Sequence, residues 1–128
     1  MSLGDKDAVV TLAVRDLDAA KQFYEGTLGL HLSQDQEEGT ASYQTATARI
    51  FVYPSQYAGT NQATAVTWLV DDVEGIVDEL KSKGVRFEHY EDLPGTKLVG
   101  DVHIAGDRKL AWFKDQDGNI HALAGGGQ

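Results

Sequence analysis

The sequence predicts an α+β fold made of two βαβββ modules, and three observations lead to this prediction. The chain contains an internal repeat, in which Val10 recurs as Val66 and Gly29 recurs as Gly84, at offsets of 56 and 55 residues. Each copy begins with period-two apolar patterning and continues with a single apolar helical stripe. The second copy closes with a hairpin signal at residues 115–119, where Gly118 supplies the positive φ of the turn.

Each module opens with a strand. In the first copy Val10, Leu12 and Val14 alternate with less apolar residues, and Val66, Trp68 and Val70 repeat this pattern in the second copy. Since successive side chains of a strand point to opposite faces, each opening strand is expected to present one strongly apolar face to a helix.

A helix follows each opening strand. Asp16 and Asp72 are well suited as N-cap residues, because a carboxylate accepts the free amide protons of the first turn. The second helix carries an apolar stripe at i, i+3, i+4 and i+7, beginning at Val73. Gly29 and Gly84 are expected to end the two helices in the left-handed conformation.

The remaining strands are predicted at residues 30–36, 42–46 and 48–53 in module one, and at 85–90, 109–114 and 119–124 in module two. Residues 54–64 are expected to link the modules, and residues 91–107 to form a long loop such as a lid. Together, module one at 8–57 and module two at 65–124 make a single domain spanning 5–124, followed by a flexible tail at 125–128.

Composition excludes several classes of function. The absence of cysteine removes disulfides, thiolate nucleophiles and cysteine-based metal sites. A net charge of −9 disfavours nucleic acid and favours neutral or cationic ligands. No apolar run is long enough to span a bilayer, and the opening residues lack the basic region of a signal peptide, so we expect a cytoplasmic protein.

No catalytic motif is present. The sequence contains no G-x-S-x-G, no P-loop and no dinucleotide-binding glycine pattern after a strand. Paired carboxylates such as Glu37-Glu38 and Asp71-Asp72 fall at predicted turns or caps rather than facing each other. We therefore predict no catalytic residue, no acid–base pair and no cofactor.

Two local motifs carry a resemblance to a known family. Residues 14–18 with Phe23-Tyr24 and Leu28-Gly29-Leu30 resemble the opening helix and turn of the vicinal oxygen chelate superfamily, and residues 112–119 resemble its closing hairpin. This superfamily includes glyoxalases, bleomycin resistance proteins and extradiol dioxygenases. The resemblance covers residues 8–124, and it implies that the modules form a curved mixed sheet around a cleft, with the helices on the outer face.

The resemblance also implies four metal-ligand positions, at which the superfamily's enzymes carry His, Glu or Gln. In this chain the positions are occupied by Val9, Phe51 (with Val52 as the register alternative), Ala65 and Ala122. None of these side chains has a lone pair to offer a metal. We therefore expect no metal at the usual place, although an unusual site built from His103, His121 and a carboxylate remains an alternative.

The same register implies a mostly apolar and aromatic cleft wall. From it we predict the ligand-binding residues Thr11, Phe51, Tyr53, Thr67 and Trp112, with His103 at the mouth. Tyrosine and tryptophan rings could stack on a planar or cationic ligand. Packing between the modules is the competing interpretation for these residues.

Three hypotheses about function follow. The first is a metal-free homodimeric protein that binds a cationic or aromatic small molecule, as bleomycin resistance proteins sequester an antibiotic. The second is a metal-dependent lyase, isomerase or dioxygenase with displaced ligands. The third is an interaction domain with a filled cleft. Because one fold hosts many chemistries, the fold cannot decide among them.

Overall fold

The computed structural model describes residues 3–6, 8–33, 39–90 and 93–126. The chain divides into two compact units, Met1–Thr60 and Asn61–Gln128. The boundary between them falls inside the segment at 54–64 that the sequence predicts as a linker.

The first unit contains one mixed sheet. A 3₁₀ helix at Leu3–Asp5 precedes β1 (Val10–Val14), α1 (Leu17–Lys21), a π-helical segment (Gln22–Thr27), β2 (His31–Leu32), β3 (Ala41–Gln44) and β4 (Arg49–Pro54). The strand order is β1-β4-β3-β2. β1 runs parallel to β4, and the other pairs are antiparallel. This is one strand–helix–three-strand module, as the sequence predicts.

The second unit repeats this layout with an added hairpin. It consists of β5 (Thr64–Leu69), α2 (Val73–Ser82), β6 (Phe87–Glu88), β7 (Lys97–Val99), β8 (Val102–Ala105), β9 (Arg108–Lys114) and β10 (Ile120–Gly126). The order is β5-β10-β9-β8-β7, and β6 pairs with β9 beside β8. β5 is parallel to β10, with a register shift between Ile120 and His121.

The predicted caps form in both helices. Asp16 Oδ1 accepts hydrogen bonds from the amides of Asp18 and Ala19, and Asp72 Oδ1 accepts one from Gly75. The first helix continues beyond Lys21 in π geometry, with the Leu28 amide donating to the Phe23 carbonyl. Gly29 and Gly84 follow the two helices at φ of 75° and 94°, a conformation that glycine adopts without strain.

Two sequence predictions need correction. The segment at 91–107, expected to form a long loop such as a lid, contains the β7–β8 hairpin in its described part, where Gly100 at φ 63° makes the turn. The flexible tail expected at 125–128 is wrong for Gly125 and Gly126, because β10 extends through Gly126, and residues 127 and 128 lie outside the described part of the chain. A Cβ on Gly125 would lie 2.3 Å from the Val70 carbonyl oxygen, so this glycine permits a close backbone approach.

Strand alternation places most of the large buried side chains on one face of each sheet. In the first unit these include Leu12, Val14, Ile50, Val52 and Tyr43, and in the second they include Val66, Ala111, Phe113, His121 and Leu123. α2 packs on β9 and β10 with Val73, Val77 and Leu80. Among the described residues, no helix has the length and apolar character needed to cross a membrane.

Candidate functional site

The first unit carries aromatic rings on the sheet face away from its buried core. Thr11 pairs with Phe51 and Ala13 pairs with Tyr53, so the four side chains share that face. The rings of Phe51 and Tyr53 stack with centroids 6.2 Å apart, and Tyr53 is 36% exposed. The structure therefore brings together the three predicted residues of module one, Thr11, Phe51 and Tyr53. Tyr43, by contrast, packs on Tyr24 on the helix side.

The corresponding face of the second unit carries Trp112. Trp112 pairs with Ala122, which in turn pairs with Thr67, so these three side chains form one row across β9, β10 and β5. The Trp112 indole Nε1 donates to Thr64 Oγ1 at 3.2 Å. This hydrogen bond holds a partly exposed ring in place on the sheet, with Thr67 exposed beside it.

Two further aromatic rings support Trp112. The Tyr90 and Trp112 ring centroids are 5.1 Å apart, and those of His103 and Trp112 are 5.0 Å apart, both in edge-to-face geometry. Such pairs contribute about 0.5–1.5 kcal/mol beyond the area they bury. We call Tyr90, His103 and Trp112 the aromatic cluster. Tyr90 lies two residues after β6, while His103 belongs to β8 and Trp112 to β9.

The sequence predicts that His103 lies in a loop, and this prediction is wrong. His103 lies in β8, where its side chain is fully buried. Its Nε2 accepts a hydrogen bond from the Tyr90 backbone amide at 2.9 Å. The neutral ring therefore carries its proton on Nδ1, which has no hydrogen-bond partner among the described residues. Burial lowers the pKa of His103. His103 positions Tyr90 rather than contacting solvent.

His121 lies on the helix side of the same sheet, as strand alternation predicts. Its Nδ1 accepts from the Trp68 indole at 3.1 Å, and its ring stacks on Phe113 at 5.0 Å. Burial lowers the pKa of His121 to about 4. His103 pairs with Leu110 and His121 pairs with Phe113, three positions apart on β9, so the two histidines face opposite sides. They cannot share one metal ion.

The four residues at which the resemblance implies metal ligands have side chains that do not fit a metal. Val9 precedes β1 and is exposed, Phe51 lies in the middle of β4, Ala65 is the extra residue at the β5 register shift, and Ala122 is buried beside Trp112. Within the described part of the chain, no group of three or more His, Cys, Asp or Glu side chains is arranged to hold an ion. We therefore derive no chemistry through a metal.

Cations accompany the carboxylates near the aromatic cluster. Asp101 is hydrogen-bonded to Lys81 Nζ and to His89 Nε2, both at 2.7 Å, and these contacts lower the pKa of Asp101. Glu88, which pairs with Trp112, lies 3.9 Å from Lys114. Burial, and secondarily the charge of Glu88, raises the pKa of Tyr90. Glu91 and Asp92, which follow Tyr90 in the sequence, lie outside the described residues.

Sequence reasoning missed several features of this face. Thr64 supports Trp112 across 48 residues of sequence, and only the β5–β10–β9 register reveals the contact. A groove of about 390 Å³ lies at one end of the second unit and includes Arg108 and Leu69. The sequence carries one indication of this groove. Arg108, Leu110 and Trp112 are alternate residues of β9, so their side chains lie on the same face.

The sequence matches the profile of the Glyoxalase/Bleomycin resistance protein/Dioxygenase superfamily over residues 8–123. No curated protein matches it. Similar solved structures include a genomically encoded fosfomycin resistance protein from Listeria monocytogenes, with a TM-score of 0.71, 14% identity, and 95% of this chain and 93% of that chain covered. Lactoylglutathione lyase from Agrobacterium tumefaciens is similar with a TM-score of 0.68 and 16% identity, over 95% of this chain and 94% of that chain.

An antibiotic binding protein from a Streptomyces species is also similar, with a TM-score of 0.62 and 22% identity, over 95% of this chain and 98% of that chain. These likenesses confirm the predicted fold class. At such low identity they extend to the fold and not to the activity.

Proposed function

Because the chain belongs to the glyoxalase/bleomycin resistance protein/dioxygenase superfamily, we propose that it is a small-molecule binding protein that works without the superfamily's metal. Its ligand is an antibiotic or another aromatic metabolite, held on the sheet face that carries Trp112. The observation that carries this proposal is the fixed, partly exposed indole of Trp112, bonded to Thr64 and supported edge-on by Tyr90 and His103.

The arrangement suits binding because its parts are held before a ligand arrives. Fixing a ring in advance reduces the entropy lost on association. The hydroxyls of Thr64 and Thr67 supply a few polar groups beside an apolar surface, which is the usual composition of a ligand site. Thr11, Phe51 and Tyr53 form a second aromatic surface on the first unit, which we also propose as ligand-binding.

A fluorescence titration tests the proposal. Trp68→Phe leaves Trp112 as the only tryptophan, since the chain has two. Bleomycin and a panel of uncharged and charged aromatic compounds are then titrated against the emission of Trp112. We expect at least one compound to change this emission saturably and to raise the melting temperature, because a ligand at 100 times its Kd adds about 2.7 kcal/mol of stability.

The matched variant is Trp112→Leu, with Trp68→Leu as its control on the opposite face of the sheet. Replacing a stacking ring should weaken binding by about tenfold or more, whereas Trp68→Leu should leave the affinity within about twofold once the protein is shown to be folded. Both variants are compared by the ligand's effect on the melting temperature, because Trp112→Leu has no Trp112 emission. A ligand that binds equally well to both variants would contradict the placement of the site.

A further inference from the structure

The groove at the end of the second unit lies on the same sheet face as Trp112. It is lined by Leu69, Val70, Arg108, Ala124, Gly125 and Gly126 and has a volume of about 390 Å³. Along β9, Arg108, Leu110 and Trp112 are alternate residues, so their side chains point to one side. Their partners on β10 are Gly126, Ala124 and Ala122. The groove therefore continues into the surface proposed above for the ligand.

The distance between the two features suits a small organic molecule. Four residues of strand separate Arg108 from Trp112, which corresponds to about 13 Å. Leu110 and Ala124 lie between them in adjacent strands. A flat molecule with two fused rings and a charged substituent has about the length needed to cover this path.

The groove combines an apolar wall with a cation. Leu69 is 84% exposed, which is unusual for a leucine and leaves apolar surface available. Arg108 is exposed and forms no ion pair with any described residue, whereas the next residue, Lys109, holds both carboxylate oxygens of Glu74 at 2.9 Å. An arginine has a planar set of donors that fits carboxylate, sulfonate and phosphate groups.

The backbone around Arg108 is held tightly by two glycines. A Cβ on Gly126 would lie 2.7 Å from the Asp107 carbonyl oxygen, and one on Gly125 would lie 2.3 Å from the Val70 carbonyl oxygen. No other residue type fits either position without a shift of the chain. The glycines therefore keep β10 close to the start of β9 and to Val70, and they fix the floor of the groove.

We propose that this groove receives the anionic group of a flat apolar ligand, whose body extends along Leu110 toward Trp112. This inference rests on the proposed function and names its ligand class: an aromatic molecule that carries a carboxylate, sulfonate or phosphate. The net charge of −9 favours cationic ligands for the chain as a whole, but Glu88 on this face lies 3.9 Å from Lys114, whereas Arg108 forms no ion pair with a described residue.

Two fluorescent probes with the same ring system test the proposal. 8-Anilino-1-naphthalenesulfonate carries a sulfonate, and N-phenyl-1-naphthylamine is the same framework without it. We expect the sulfonate probe to bind about tenfold more tightly than the neutral probe at low salt, and the difference to shrink at high salt. Equal affinities, or tighter binding of the neutral probe, would overturn the proposal.

The variant Arg108→Gln should weaken binding of the sulfonate probe by about tenfold and change the affinity for the neutral probe by less than about twofold. Arg108→Lys should lose less affinity for the sulfonate probe. Lys109→Gln is the matched control, because this neighbouring cation faces the other side of the sheet and pairs with Glu74. An Arg108→Gln variant that binds the sulfonate probe normally, with its near-ultraviolet circular dichroism unchanged, would overturn the inference.

Trp112→Leu separates this inference from the proposed function. If Trp112→Leu weakens the binding of both probes and Arg108→Gln weakens the binding of neither, the aromatic site at Trp112 is supported and the proposal of an anionic ligand is wrong. If neither probe depends on Trp112, the proposed function fails, and the inference fails with it. Amide shifts at Gly125 and Gly126 in nuclear magnetic resonance spectra, seen with the sulfonate probe alone, would place the anion in the groove.

Discussion

The two buried histidines of the second unit both accept a hydrogen bond, but their imidazole rings have different roles. His103 accepts a backbone hydrogen bond from Tyr90 and supports Trp112 on the open face. His121 accepts from Trp68 and stacks on Phe113 within the core. In both cases an acceptor nitrogen is needed, so the neutral ring is the functional form. Burial enforces this form by disfavouring the charged ring.

Acid should destabilise the protein through His121. Its folded pKa of about 4 lies below the ordinary value of 6.5, so between these values the unfolded chain takes up a proton that the folded chain does not. Stability attributable to this residue is therefore intact above about pH 6.5 and is lost as the pH falls toward 4. We expect a loss of about 2 kcal/mol between pH 7.5 and pH 5, measured by urea unfolding.

The variant His121→Phe should flatten this dependence, because it removes the titrating group while keeping the stack on Phe113. It will be less stable at pH 7.5, since the Trp68 indole loses its acceptor. His31→Gln, at an exposed histidine, serves as the control and should retain the acid sensitivity of the original chain. A His121→Phe variant that loses stability with acid as steeply as the original would contradict this account.

At the scale of elements, the β9–β10 hairpin is the best specified part of the chain. Asp115 Oδ1 accepts from the amides of Asp117 and Asn119, and its Oδ2 accepts from the Asn119 side chain, all at 2.8–2.9 Å. Gly118 closes the turn at φ 94°. Because β9 carries Arg108 and Trp112, and β10 lies beside them, this turn sets the register of the proposed site.

The variant Asp115→Ala should cost about 2 kcal/mol of stability, since it leaves buried turn amides without their acceptor. Asp115→Asn should cost less, because it keeps one acceptor oxygen. Gln116→Ala, at an exposed position of the same turn, is the control and should fall within about 0.5 kcal/mol of the original. Chemical denaturation of the three variants at pH 7.5 compares these values, and an Asp115→Ala loss no larger than that of the control would refute the role of the turn.

At the scale of the whole molecule, the net charge and the side-chain atoms available as metal ligands limit the functions that fit the protein. A net charge of −9 opposes binding to a phosphate backbone. At the four positions that the resemblance implies for metal ligands, Val9, Phe51, Ala65 and Ala122 offer no ligand atoms. The described residues supply no alternative cluster.

Elemental analysis of untagged protein, purified without chelators or nickel, should find less than about a tenth of a divalent metal ion per chain. About one ion of zinc, nickel, manganese or iron per chain would contradict this expectation and would favour a metal-dependent lyase, isomerase or dioxygenase. Chelation should then abolish activity, which the binding-protein hypothesis does not predict.

We also expect the chain to form a homodimer. Val9, Tyr57 and Val99 are exposed apolar residues, which could be covered by a second copy. Sedimentation equilibrium across a range of concentrations measures the state directly, and a chain that stays at 13.9 kDa throughout would contradict the expectation.

The sequence by itself determined the strand–helix order, the two N-caps, the helix-ending glycines and the closing hairpin, because all of these depend on residues within a few positions of one another. The repeat was visible because each copy carries the same local pattern. Strand alternation is equally local, and it correctly placed His121 on the helix side and Thr11, Phe51 and Tyr53 together on the opposite face.

Only the tertiary structure decided the rest. The β7–β8 hairpin, the burial of His103, the Trp112–Thr64 hydrogen bond and the groove at Arg108 depend on which strands pair and in what register. Residue Thr64 is far from Trp112 in sequence, and a shift at Ile120 sets their alignment. A local pattern carries no information about such a register, because its energy comes from contacts between residues that are distant in the chain.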